Sequence, residues 1–322
     1  MIPPPRNLLV SFAYYKRIDL DKLAACRIVG DSGAYTMKKL GKVVTTRQVA
    51  GWVQKWQHRL AWAAAIDIAN DIQQTRDNWK AMCDYGFPAV STLHVGDDPS
   101  EMDWYADQGV DFLGLGGMAG STISPDVQFR WLTQVFKYAR DNHPEMRFHG
   151  WGMARNEWLR LPFFSIDSSG WGSGYRFGRV VLRHPITGEN IGVALNGKAT
   201  YSPKIAEMLA EHYGVTPSMV SKSVPENRML MVKLSALSAS VQEQQIRAIH
   251  RKAPVTPPKW GRLGGWDLPP GPNQHLALGG CGAGLREVKV MQELHSTGPH
   301  LHLVDGHPQH IQWVADMAEG KL

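Results

Sequence analysis

Three short apolar runs in this chain each end in an aspartate: Arg27-Ile-Val-Gly-Asp31, Ala63-Ala-Ala-Ile-Asp67 and Phe163-Phe-Ser-Ile-Asp167. Two further runs, Ala89-Val-Ser-Thr-Leu-His94 and Asp111-Phe-Leu-Gly-Leu-Gly116-Gly117, end in a histidine and a glycine pair. Such runs are too short for helices and are bounded by turn residues, so they read as buried parallel strands. Polar groups at the C-terminal ends of successive parallel strands converge on one mouth, where a (β/α) barrel keeps its chemistry. The expected fold is α/β, a (β/α)8 TIM-type barrel with an inserted or appended α+β region after the seventh strand.

The alternation runs through more than half of the chain. Strands are expected at 7–13, 27–30, 63–68, 89–94, 112–115, 147–150 and 163–167, with helices at 19–25, 46–61, 75–85, 98–107, 126–142 and 154–160. Val49, Trp52, Val53, Trp56 and Leu60 recur at helical spacing. Asp98-Pro-Ser-Glu supplies an N-cap followed by proline. Beyond the seventh strand the pattern changes. Residues 179–196 suggest a β-hairpin turning at Pro185-Ile-Thr-Gly-Glu. Helices are expected at 202–213, 217–222 and 226–251, and a Pro-, Gly- and Trp-rich loop at 254–272. The eighth strand is expected at 276–278 or 301–305. The chain therefore divides into a main barrel part (1–178), an insertion that could clamp a nucleic acid (179–272) and a segment completing the barrel (273–322).

With 322 residues, 43% of them hydrophobic, the chain can bury one large α/β core with an appendage. No apolar run reaches the roughly 20 residues of a membrane span, so no membrane partner is expected. Met1-Ile-Pro-Pro-Pro-Arg lacks the basic-then-apolar pattern of a signal peptide. Cys26, Cys83 and Cys281 lie far apart, which argues against a disulfide framework or a CxxC metal site and suits a reducing cytoplasm. The formal charge of +6 suits a polyanionic partner without demanding one.

Taken singly, Asp31, Asp67 and Asp167 each have an alternative role in an Asx-turn or a helix cap. Three carboxylates at matching places on different strands are stronger, because buried unpaired carboxylates cost stability. His94 closes the fourth strand, in a position that is as often structural as functional. Gly114-Leu-Gly116-Gly117 lacks the spacing of a dinucleotide fingerprint and reads instead as a place where backbone approaches a flat ligand. His149-Gly-Trp-Gly152 repeats that idea on the sixth strand. A zinc site could be drawn from Cys281 and the histidines at 295, 300, 302, 307 and 310, but their spacing fits no standard motif, and neither metal nor organic cofactor is expected.

Together these residues resemble the tRNA-guanine transglycosylase superfamily, especially its phage and bacterial DNA-guanine transglycosylase branch. Asp31-Ser-Gly-Ala-Tyr35 resembles the family's Asp-Ser-Gly-Gly/Ala-aromatic motif, and Asp67 stands where the family has a base-reading aspartate. His94 stands near a strand end where the tRNA enzymes use a glutamine. Gly116-Gly117 resembles the glycine pair that meets the base carbonyl, His149-Gly-Trp-Gly-Met the Gly-x-Gly strand, and Asp167 the nucleophilic aspartate. The resemblance covers roughly residues 7–178 in the family's order. The tRNA enzymes also carry a Cys-x-Cys-x-x-Cys plus His zinc site that helps position tRNA. No such motif occurs here, which favours DNA as the polymer.

The resemblance implies exchange of guanine in DNA for a 7-deazaguanine such as 7-cyano-7-deazaguanine. Asp167 would be the nucleophile and Asp31 the acid/base. Asp67, His94, Gly116, Gly117, Tyr35 and Ser32 would contact the base. Candidate phosphate ligands are Lys38, Lys39, Lys42, Arg176, Arg179, Arg183 and Lys198. In a phage-encoded protein the compartment would be the host cytoplasm, and tRNA members of the family act as dimers, so a homodimer is allowed. The alternatives are a 7-deazaguanine or queuine tRNA-ribosyltransferase on the same scaffold, a non-catalytic nucleic-acid-binding barrel, and an unrelated metal-dependent barrel hydrolase.

Overall fold

The computed structural model describes residues 2–118, 121–153, 155, 158–172, 174, 178–195, 201–216, 219, 224–278 and 284–296. Eight parallel strands make one curled sheet, with helices between most of them. They are β1 (Asn7–Ser11), β2 (Arg27–Asp31), β3 (Leu60–Ala63), β4 (Ser91–His94), β5 (Phe112–Gly116), β6 (Arg147–Gly150), β7 (Ser165–Ser168) and, after a separate antiparallel pair of β8 (Arg179–Arg183) and β9 (Asn190–Ala194), β10 (Asn273–Ala277). The order across the sheet is β3-β2-β1-β10-β7-β6-β5-β4. Ala64, just after β3, and Val90, just before β4, form an isolated parallel bridge. The Ala65 N–H donates to the Val90 carbonyl and the Val90 N–H to the Ala63 carbonyl, each at 2.9 Å.

The strands are apolar on both faces, as parallel strands covered on both sides must be. Leu8, Val10 and Ile28 pack outward with the helices. Leu9, Val29, Trp62, Val90, Phe112 and Phe164 form a second cluster on the inner face of the curl. Helix Thr46–Trp56 starts at a capping box made by Thr45 and Gln48. Helix Pro125–Asn142 starts at Ser124, with a proline in its first turn.

Several boundaries differ from the sequence reading. The third strand begins at Leu60 rather than 63, and the preceding helix stops at Trp56 rather than 61. Leu60 fits the helical spacing and a strand equally well; its pairing with Ile28 on β2 decides for the strand. The helix expected at 154–160 is, among the described residues, a single 3-10 turn, Trp158–Arg160. The eighth strand begins at Asn273, overlapping the expected 276–278, while 301–305 lies outside the described residues, as does most of 217–222. Helices Ala34–Lys39 and Gly284–Ser296 were not anticipated.

The stretch between β7 and β10 does two jobs. Helix Val224–Ile249 packs against β10 and carries the β8–β9 hairpin on its side. Ser238 Oγ accepts the Arg183 N–H at 2.9 Å, and the Tyr213 hydroxyl donates to the Arg183 carbonyl at 2.7 Å. The following segment then crosses the N-terminal ends of the strands. Asp111 accepts the N–H groups of Lys259 and Trp260 at 2.8 and 2.7 Å. The Leu263 N–H reaches the Ala61 carbonyl, and Arg147 reaches Thr256. Trp260 and Leu268 thereby cover the inner core from below, leaving the C-terminal strand ends for polar groups. Among the described residues, no helix is long and apolar enough to cross a membrane.

Candidate active site

Asp31 is the last residue of β2, His94 of β4 and Gly116 of β5, while Asp167 lies within β7, one residue before its end. Asp67 follows β3 by four residues. All five stand at the same, C-terminal end of the sheet. Parallel register sets Ser11 beside Asp31, His94 beside Gly116 and His275 beside Asp167.

Asp31 feels the charges of both other aspartates. Burial pushes the Asp31 carboxyl up from its ordinary 3.8 to about 6, and the negative charges of Asp67 and Asp167 push the same way. The Gly33 N–H and the nearby Ser11 hydroxyl oppose the rise; Ser11 Oγ makes no hydrogen bond of standard geometry. A carboxyl titrating near neutrality beside two others is suited to giving and taking a proton.

Asp167 is 7% exposed. Its Oδ1 accepts the Gly152 N–H at 2.8 Å and faces His149 Nε2 at 3.4 Å. Gly152 has φ +64°, a left-handed conformation that glycine adopts without strain. Asp67 is paired with His94, whose Nε2 lies 2.7 Å from Oδ2, while the His94 N–H donates to Asp97 at 2.7 Å. The side chain of Asp67 is one-third exposed, so the pair opens toward solvent at the mouth.

The glycines of β5 lie against the protein's own aromatic ring. A methyl group on Gly114 would run into Trp151 Nε1, and one on Gly116 would meet Thr92 at 2.9 Å and Trp151 at 3.4 Å. Trp151 donates from Nε1 to Thr92 Oγ1 at 3.0 Å. The flat group beside Gly114 is therefore an indole of this chain. Gly117, at φ +80°, turns the chain away after the strand.

The remaining expected residues are placed as follows. Ser32 is buried, and its Oγ accepts the Ala34 N–H at 3.4 Å. Tyr35 is 58% exposed in the helix that follows Asp31. Lys42 and Arg179 are exposed. Arg183 is half-buried and donates to Gln245 Oε1 at 3.1 Å, a tie within the fold. The side chains of Lys38 and Lys39, together with Arg176 and Lys198, lie outside the described residues. So do Cys281 and the histidines from 300 onward, while His295 faces the Pro5 carbonyl at 2.9 Å. Among the described residues, no group of three or more His, Cys, Asp or Glu side chains is arranged to hold a metal.

Two histidines in the inner layer were not assigned roles from sequence. His149 and His275 are fully buried, with ring centroids 6.0 Å apart and Trp62 against both. Burial lowers the pKa of each, that of His275 well below the ordinary value. The signal for them was position: each stands on the same face of its strand as Ser165 or Asp167 of β7. No protein-family model matches the chain, and no curated protein matches it.

Proposed function

We propose that this protein is a base-exchange transglycosylase that replaces guanine in DNA with a 7-deazaguanine, using a (β/α)8 barrel closed at the Ala64–Val90 bridge. The observation that carries this reading is the meeting of Asp31, Asp67 and Asp167 at one end of the sheet, with Asp31 titrating near neutrality. A binding module has no need of such a trio, whereas base exchange at C1′ needs a nucleophile, an acid/base and a reader of the base.

In the first half-reaction a lone pair of Asp167 attacks C1′. The C1′–N9 bond breaks, and its electron pair leaves with guanine, which takes a proton from Asp31. The product is a glycosyl ester on Asp167, the strategy of retaining glycosidases. In the second half-reaction the incoming base gives its N9 proton to the Asp31 carboxylate. N9 then attacks C1′, and the ester bond breaks with its pair returning to Asp167. Asp67 accepts hydrogen bonds from the N1–H and 2-amino group of the base, a donor pair that matches one carboxylate. His94 Nε2 lies 2.7 Å from one oxygen of that carboxylate and holds it in place.

The target base must leave the duplex or come from a single strand, at a cost of a few kcal/mol that backbone contacts offset. Lys42 and Arg179 are exposed and available for such contacts. The test is incorporation of labelled guanine into DNA and, in parallel, into tRNA. Label in DNA that disappears with Asp167→Asn supports the proposal. Label in tRNA alone replaces DNA with tRNA, and label in neither overturns the proposal.

A further inference from the structure

We propose that His149 is a positioning residue for Asp167, locked by Ser165 in the tautomer that carries its proton on Nε2. This rests on the reading of Asp167 as nucleophile, but the tautomer can be tested without it.

For a neutral ring the geometry favours one arrangement of protons. His149 Nδ1 lies 2.8 Å from Ser165 Oγ, and Nε2 faces Asp167 Oδ1 at 3.4 Å with no hydrogen-bond partner of standard geometry among the described residues. A neutral imidazole has one N–H and one lone pair. Were the proton on Nδ1, the Nε2 lone pair would point at the carboxylate of the nearly buried Asp167. With the proton on Nε2, the Ser165 hydroxyl donates to Nδ1 and the ring presents N–H to Asp167. Burial of the ring favours its neutral form, which fits this count.

The ring cannot easily turn away. Trp151 and Trp62 stand edge-on to it, with centroids at 4.3 and 4.8 Å, and His149 is fully buried. Asp167 Oδ1 is thus approached by two donors, the Gly152 N–H and His149 Nε2. Neither contact involves Oδ2. Oδ2 is the oxygen left to attack C1′, and Oδ1 becomes the ester carbonyl, still facing both donors. Hydrogen bonds of this length in a substrate-free site commonly tighten in the Michaelis complex. Among the described residues, Asp31 on β2 is coupled electrostatically to Asp167, and His275 on β10 lies beside it in register.

The first measurement is the tautomer of His149 in the free protein, from long-range proton–nitrogen NMR of histidine-labelled material at about neutral pH. An Nε2–H pattern that loses its preference in Ser165→Ala supports the proposal. An Nδ1–H pattern in the wild type overturns it, whatever the enzyme does. The second measurement compares substitutions that mimic one ring nitrogen each. His149→Gln can present an amide N–H where Nε2 stood; His149→Asn reaches only the Nδ1 position. The expected result is that Gln retains most activity, while Asn and Phe lower kcat by about tenfold to a hundredfold with KM nearly unchanged. Equal activity of Gln, Asn and Phe variants that keep the wild-type circular dichroism overturns the proposal. An Nε2–H tautomer in a protein that exchanges no base upholds the lock and rejects the transglycosylase.

Discussion

His94 Nε2 lies 2.7 Å from Asp67 Oδ2, so the residue that closes β4 holds one oxygen of the carboxylate that follows β3. Sequence alone presented these two as independent contacts to a base. In the fold they are one unit, with a buried histidine fixing an aspartate that opens to solvent. A hydrogen bond to a charged group contributes about 1.5–3 kcal/mol. His94→Ala should therefore raise KM for guanine by at least about tenfold and change kcat less. Steady-state kinetics with free guanine check this. An unchanged KM would separate His94 from base reading.

Asp31 should make stability fall as pH rises. The native carboxyl keeps its proton up to about pH 6, whereas the unfolded chain releases it near 3.8. Between these values the native state binds more protons, so each increase in pH favours unfolding; above the window the loss is complete. The shift corresponds to about 3 kcal/mol as an upper figure. Asp31→Asn should be more stable than the wild type at about pH 7.5, match it at about pH 3.5, and be severely impaired in exchange. Thermal unfolding at the two pH values checks the first part. A stability difference independent of pH would remove the assigned environment of Asp31.

Gly114→Ala should destabilise the fold, because the added methyl group displaces the Trp151 indole and crowds Thr92 Oγ1 at 3.0 Å. Overpacking of this kind costs about 1–3 kcal/mol. A denaturant midpoint equal to that of the wild type would show that Trp151 moves aside freely.

Much of this architecture was legible because strand ends in the chain are marked chemically. Asp31, His94 and Gly116 each stop an apolar run, and each is the final residue of its strand. Leu60 was misassigned because its apolar side chain satisfies a helical and an extended period alike, and only pairing with Ile28 breaks the tie. The segment around Trp260 read as a loop because its hydrogen bonds are to distant partners, Asp111 and Ala89, that local composition does not reveal. In the sequence His149 stands in a glycine-rich strand, but its partners Ser165 and Asp167 are 16 and 18 positions away, and only the register of β6 on β7 joins them. The aspartates could be seen; what holds them could not.

The most direct test of the account is to catch the ester. The protein is mixed with a guanine-containing DNA strand, quenched in acid, digested and examined by mass spectrometry. The account predicts a deoxyribosyl adduct on the peptide containing Asp167, lost in Asp167→Asn and discharged when a 7-deazaguanine is added before the quench. Base exchange that proceeds with no adduct on that peptide, or with one on Asp31 or Asp67, would contradict it.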